Sequence, residues 1–249
     1  MHKELFIVAA GKGSRMNHNK PKAMMKIGEE PNVLRTIRLA FDHYDIVYVG
    51  INEDHLDAWA PIQREIDKFE GRVKMIAIKS GLGDGNAVMR MLNHPWYIPY
   101  PDSMTTVVWG DTVFQDSQPF YDASFWPRNY VAVHHKEKPY VSIKTVGGHI
   151  ASGALFSKYD EVHGPGYHDQ SLFVYRSEDL ENALGAIHAS GFRNGKYDYP
   201  GGEMSLLSTI NYFFNMGQGM SVKKYDKEIA KSYNTFEEYS AINDMYTSL

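Results

Sequence analysis

The chain opens on six consecutive apolar residues, Leu5 to Ala10, that meet Gly11 without a polar break. A strand with one wet face alternates apolar and polar residues, so an unbroken run this short reads as a central strand buried on both faces and ending in a loop. That run commits the chain to a sheet with helices on either side. Asn32 is placed to cap a helix whose apolar positions Val33, Leu34, Ile37 and Phe41 follow helical spacing, and Asp45 to Ile51 supplies the next β-branched run. The same rhythm predicts a helix near Asp54 to Phe69, a strand at Val73 to Ile78, a helix near Asn86 to Leu92 and a strand at Thr105 to Trp109. Four strands alternating with helices imply a mostly parallel sheet.

After Gly110 the rhythm changes. Tyr130 to His134, Val141 to Thr145 and Leu172 to Tyr175 read as strands with fewer helices between them, followed by helices near Asp179 to Ala189, Met204 to Phe214 and Phe236 to Met245. The expected architecture is α/β: a Rossmann-like, mixed but mainly parallel sheet flanked by helices. With no repeat or long linker, residues 1–249 are expected to form one domain of two lobes, about 1–112 and about 113–249. The stretch from Arg193 to Gly202 is expected to be an exposed loop, with a lid as its other reading.

Composition excludes several classes. The 26 Lys+Arg against 30 Asp+Glu give 26 − 30 = −4, which argues against a nucleic-acid coat. The absence of cysteine removes thiolate metal sites and cysteine nucleophiles, and it suits a reducing compartment, so the cytoplasm is expected. No stretch approaches the roughly 18 apolar residues of a membrane span. His134 and His135 are neighbours in a strand and face opposite sides, so they do not share a metal, and His163 and His168 flank a Gly-Pro-Gly turn and read as solvated.

Against that acidic background, the window from Lys12 to Lys26 carries Lys12, Arg15, Lys20, Lys22 and Lys26 and no acidic residue. Glycines after a buried strand let backbone N–H groups approach an anion, and lysine and arginine neutralise it. The spacing fits neither common phosphate loop. Met16 stands where a dinucleotide fingerprint needs its third glycine, and Lys12 is followed by Gly13 where a Walker loop needs Ser or Thr.

Ala9-Ala10-Gly11-Lys12-Gly13-Ser14-Arg15-Met16, a short spacer and Pro21-Lys22 resemble the signature of the sugar-phosphate nucleotidyltransferases, among them the glucose-1-phosphate thymidylyl- and uridylyltransferases and the phosphocholine cytidylyltransferases. The resemblance implies a GT-A-like nucleotidyltransferase fold. It implies that Ala9, Ala10, Gly11, Lys12, Gly13, Ser14 and Arg15 bind a nucleoside triphosphate, with Lys22 near its phosphates. The segment Gly81 to Val88 resembles the second glycine element of that family, which would bring Gly83 and Gly85 to the nucleobase; read locally, it is a helix start capped by Asp84.

Val107 to Asp111 is an apolar strand ending in Gly110-Asp111, and ligands of open α/β sheets gather at such strand ends. The resemblance implies that Asp111 binds Mg²⁺ and that Asn234, in Ser232 to Glu238, is the second ligand. Locally, Asn234 or Thr235 caps the last helix, with Glu237 or Glu238 completing a capping box. On the acceptor side, Lys158 matches a lysine that contacts the acceptor phosphate and Glu203 a glutamate that faces sugar hydroxyls. Ser171 stands where glycine is usual, and Leu207-Ser208 replaces an expected Thr-Asp.

The implied reaction joins a nucleoside triphosphate to a sugar 1-phosphate or small phospho-metabolite with release of pyrophosphate, serving surface polysaccharide or lipid-linked glycan precursors. Arg15, Lys22 and Asp111 would be catalytic and Mg²⁺ the cofactor, with no nucleic-acid partner. A phosphocholine-like acceptor is the alternative on the same chemistry. A nucleotide-sugar glycosyltransferase and a degenerate nucleotide-binding regulator are rivals, the former weakened because Asp111-Thr112-Val113 lacks the second acid of Asp-x-Asp.

Overall fold

In a computed structural model, residues 1–11, 21–79, 81–157, 160 and 164–247 are described. Among them nine strands form one sheet: β1 (Lys3–Ala9), β2 (Ile46–Asn52), β3 (Val73–Ile78), β4 (Met104–Trp109), β5 (Tyr130–Lys136), β6 (Val141–Val146), β7 (Ile150–Phe156), β8 (Gly166–Arg176) and β9 (Met220–Tyr225). Their spatial order is β3-β2-β1-β4-β8-β5-β9-β7-β6.

The first four strands are parallel, with Glu4 to Ala9 of β1 running in register beside Glu4↔Ile46 through Ala9↔Ile51 on one side and β4 on the other. The continuous apolar run of β1 has the expected cause. Leu5 and Ile7 face one core and Phe6 the other, and all three are fully buried. One face is covered by helices α1 (Asn32–Ala40), α2 (Leu56–Ile66) and α4 (Gln118–Ser124) through Val33, Ile37, Trp59 and Phe120. The other is covered by α3 (Asp84–Leu92), α5 (Ser177–Gly191) and α6 (Ser208–Asn215) through Val88, Met91, Leu184 and Ile210. Each such side chain contributes roughly 1.5–3 kcal/mol by leaving water.

The expectation of a mainly parallel sheet is corrected in the second half. There β4–β8, β8–β5, β9–β7 and β7–β6 are antiparallel, and only β5–β9 is parallel. A further antiparallel contact, Tyr167↔Ile143, joins β8 to β6 and closes β8, β5, β9, β7 and β6 into a small barrel. The connection from Val146 to Ile150 is too short for a crossover helix, which forces β6 and β7 to be antiparallel neighbours. Strand β9 was not expected from the sequence, because Lys223 and Lys224 interrupt its apolar character.

Helix α7 (Phe236–Thr247) closes the chain. It packs on the segment after Pro21: Tyr239 Oη donates to the Lys26 carbonyl at 2.7 Å, Asn243 Oδ1 accepts from the Gly28 N–H at 2.8 Å, and Ile242 joins Met25, Ile27, Val113 and Tyr233 in a small core. The loop around Arg193 forms a short hairpin, Phe192–Arg193 with Lys196–Tyr197, pinned because buried Tyr197 hydrogen-bonds Asn86 Nδ2 and His188 Nδ1, each at 2.8 Å. Among the described residues, no helix is long and apolar enough to cross a membrane.

Candidate active site

Two short segments far apart in sequence build the centre of the site. Thr112–Phe114, just beyond β4, pairs antiparallel with Ala230–Ser232 in the register Thr112↔Ser232. Antiparallel pairing makes the residue before Thr112 a neighbour of the residue after Ser232, so the ribbon alone brings Asp111 beside Tyr233 and Asn234. The Tyr233 N–H donates to the Asp111 carbonyl at 3.3 Å, and the Thr112 and Ser232 hydroxyls meet at 2.8 Å.

The loop carrying Asp111 is fixed from below. Gly110 lies so close to the end of β1 that a Cβ there would stand 2.9 Å from Ala9 Cβ and 3.0 Å from Ala23 Cβ. Asn32 holds the loop from the side: its buried Nδ2 donates to the carbonyls of Gly110 at 3.0 Å and Thr112 at 2.9 Å. The sequence reading of Asn32 as a helix cap is therefore corrected. Pro31 occupies the cap position and Asn32 is the first helical residue, its amide spent on the Asp111 loop.

Lys22 arrives from the amino-terminal side. Its Nζ donates to Asp111 Oδ2 at 3.2 Å, Asn234 Oδ1 at 3.1 Å and the Tyr233 carbonyl at 3.3 Å. Tyr233 is wholly buried and its phenol donates back to the Lys22 carbonyl at 2.7 Å; burial pushes that phenol's pKa well above its ordinary value, so it remains a donor. Three residues named from sequence thus meet around one ammonium. Tyr233 was not anticipated, because it acts mainly through its main chain, which leaves no mark in residue type.

Of the two local readings for the last helix, the structure selects Thr235 and Glu238. Glu238 N–H donates to Thr235 Oγ1 at 3.2 Å, and Glu238 Oε2 accepts from the N–H groups of Thr235 at 3.1 Å and Asn234 at 2.6 Å. The box secures Asn234 by its backbone and leaves its amide oxygen to Lys22.

The site opens onto a cleft of about 690 Å³ lined by Asp84, Trp109, Asp111, His168, Asp169, Ser171 and Asn234 among others. Asp84 is the first residue of α3 and not its cap, which is Gly83. Its Oδ1 accepts from the Gly85 and Leu206 N–H groups, both at 2.7 Å, and its Oδ2 from Trp109 Nε1 at 2.9 Å. Burial pushes the Asp84 carboxyl above the usual aspartate range against the opposing pull of those donors. Asp169 is pushed the same way by burial, opposed by His168 and by the Ser171 N–H. His168 belongs to β8, half-buried with Nδ1 3.0 Å from the Val141 carbonyl, which corrects its reading as a solvated turn residue.

Ser171 has φ +55°, the left-handed region that glycine adopts most readily, at a break in the pairing of β8 with β5. The backbone shape that glycine would supply is retained with serine, whose Oγ lies 3.2 Å from Ser232 Oγ. Gly83 and Gly85 have a packing reason. Gly83 has φ +93°, and a Cβ on it would stand 2.4 Å from the Met204 carbonyl oxygen, while one on Gly85 would stand 2.9 Å from the Ser205 carbonyl carbon. Glu203, just before Met204, is exposed and does not line the cleft. Ala9 is buried against Gly110, Ala10 is buried in the core on the other side of the sheet, and Gly11 is exposed just beyond β1. Lys12, Gly13, Ser14, Arg15 and Lys158 lie outside the described residues.

Solved structures align with this arrangement over almost the whole chain. The CTP:phosphocholine cytidylyltransferase LicC from Streptococcus pneumoniae superposes with TM-score 0.72 at 11% identity, covering 98% of this chain and 99% of that one. A putative glucose-1-phosphate thymidylyltransferase from Bacillus anthracis superposes with TM-score 0.77 at 12% identity, covering 99% and 96%. HddC from Yersinia pseudotuberculosis, complexed with GMP-PN, gives TM-score 0.66 at 16% identity, covering 99% and 100%. The chain has the sugar-phosphate nucleotidyltransferase fold. No family model and no curated protein sequence matches it. The nucleotidyltransferase fold is thus carried here by a sequence that shares only 11–16% of its residues with these structures.

Proposed function

We propose that the chain is a nucleotidyltransferase that joins a nucleoside triphosphate to a phosphorylated small-molecule acceptor and releases pyrophosphate. The observation that carries this reading is the convergence of Lys22, Asp111 and Asn234 at the carboxyl end of β4, on this fold. An oxygen of the acceptor phosphate attacks the α-phosphorus, the bond from that phosphorus to the bridging oxygen of the β-phosphate breaks, and the electron pair leaves with pyrophosphate. The acceptor oxygen is already ionised, so no general base is required, and catalysis is positioning and charge neutralisation.

The donor set fits a hard divalent cation: a carboxylate and an amide oxygen that already converge on a positive charge. Asp111 and Asn234 would hold Mg²⁺, which when bound supplies Lewis-acid neutralisation of phosphate oxygens. Lys22, and Arg15 of the glycine loop, neutralise and align the triphosphate. Residues 1–112 would hold the nucleotide, with Gly83 and Gly85 toward the base. Residues 113–249 would hold the acceptor, with Lys158 toward its phosphate; Glu203, exposed and outside the cleft lining, has no part in this reading.

The acceptor class extends from sugar 1-phosphates to small phospho-metabolites. Ser171 favours including the latter, because its hydroxyl fills space at the cleft wall that a glycine leaves open. The test is a matrix of the four nucleoside triphosphates against sugar 1-phosphates and phosphocholine-like acceptors with Mg²⁺, read as pyrophosphate. At least one pair is expected to react; a uniformly silent matrix with folded protein would instead support the regulatory rival.

A further inference from the structure

The three acceptors around Lys22 Nζ are a carboxylate oxygen, an amide oxygen and a main-chain carbonyl, from Asp111, Asn234 and Tyr233, all between 3.1 and 3.3 Å from the ammonium. These are the hard oxygen donors that Mg²⁺ and Mn²⁺ prefer. The Lys22 and Asp111 side chains are only 16% and 23% exposed, so their attraction is only partly screened. An ammonium and a dication cannot occupy the same oxygen triad.

We propose that Lys22 and a divalent cation compete for this triad, with the Tyr233 carbonyl as a third metal ligand beside Asp111 and Asn234. The inference rests on the assignment of the latter two to the metal. Tyr233 suits the role because it is the fixed member of the group. Its phenol is tied to the Lys22 main chain, its N–H to the Asp111 main chain, and its side chain is buried, so the oxygens stay in place while the flexible lysine stem swings away. Lys22 is then free to meet an anion only after a cation has taken its place. Metal entry and lysine delivery become one event, carried by a single side chain.

The test uses the full chain and metal alone. Mn²⁺ titrated into EDTA-stripped protein, with free Mn²⁺ followed by electron paramagnetic resonance, is expected to bind Lys22→Met about tenfold more tightly than wild type, the scale of losing one partly screened ion pair. Equal or weaker binding would overturn the proposal. Asp111→Asn in the Lys22→Met background should abolish saturable binding, and its persistence would place the cation elsewhere and also overturn the proposal.

A second readout needs no variant and separates displacement from loss of charge. Reductive methylation of Lys22 in wild-type protein, scored by peptide mass, should rise several-fold when Mg²⁺ is added while exposed lysines such as Lys68 stay constant; unchanged Lys22 reactivity would overturn the competition. Neither readout involves a nucleotide. Competition without pyrophosphate release would keep this inference and sink the proposed reaction, whereas release without competition would sink this inference alone.

Discussion

The two ends of the parallel strands both draw ionisable groups out of bulk water, the carboxyl end only in part and by different means. At the carboxyl end Lys22 and Asp111 lie 3.2 Å apart beside a cleft of about 690 Å³. At the amino end Glu4 is fully buried and, among the described residues, has no lysine or arginine partner; one oxygen accepts from Tyr97 Oη at 3.2 Å and Thr105 Oγ1 at 3.3 Å, and the other faces His2 Nε2 at 3.8 Å. Burial pushes the Glu4 carboxyl up to about 7, only partly offset by those hydroxyl donors. Opposite charges that neutralise each other can be kept charged and offered to a ligand. A buried carboxyl with hydroxyl donors and no cation partner instead holds its proton to higher pH and becomes part of the core.

The contrast predicts that changes at the carboxyl end move activity and leave stability, while changes at the amino end do the reverse. The largest effect is expected for Asp111→Asn, with Mg²⁺-dependent pyrophosphate release down by about 10³-fold or more and a melting temperature within about 2 °C of wild type. A comparable loss of stability would reduce Asp111 to a loop anchor. Lys22→Ala should lower turnover by roughly 10²–10³-fold with the fold intact, and a wild-type rate would detach the lysine from the chemistry.

Glu4→Gln probes the other end. Between pH 4.5, where the unfolded carboxyl ionises, and about 7, the folded chain holds the extra proton. Wild-type stability therefore falls as pH rises through that window and levels off above it. Glutamine removes the loss: chemical denaturation should show the variant more stable by on the order of 3 kcal/mol at pH 8, equal at pH 4, and catalytically unchanged. A pH-independent difference would contradict the assignment. Thr235→Ala is the smallest expected change, about 1 kcal/mol from the lost cap, with a modest fall in turnover because Asn234 follows the helix start.

The sequence was most legible where local chemistry and long-range role coincide. Leu5 to Ala10 announced a strand covered on both faces, and Gly110-Asp111 announced a strand end, because burial and turn geometry act on those residues directly. Strand β9 and the first half of β8 were missed because the barrel leaves Lys223, Lys224, His168 and Gln170 in positions where apolar periodicity is lost. Asn32 and Asp84 were both read as caps, the local use of their side chains, while their partners Gly110, Thr112 and Leu206 lie far along the chain. At the candidate site, the three residues that the structure brings together, Lys22, Asp111 and Asn234, all stand in motifs that the sequence singles out. Tyr233 was not, since the atoms that matter are mostly its peptide N–H and carbonyl, which every residue but proline possesses.

The most direct test of the central claim is product analysis of the best nucleotide and acceptor pair by mass spectrometry, in wild type and Asp111→Asn. A nucleoside-diphosphate-linked acceptor is expected to form one-to-one with pyrophosphate, dependent on Mg²⁺ and lost in the variant. Nucleoside diphosphate with inorganic phosphate, or equal product from Asp111→Asn, would contradict that claim.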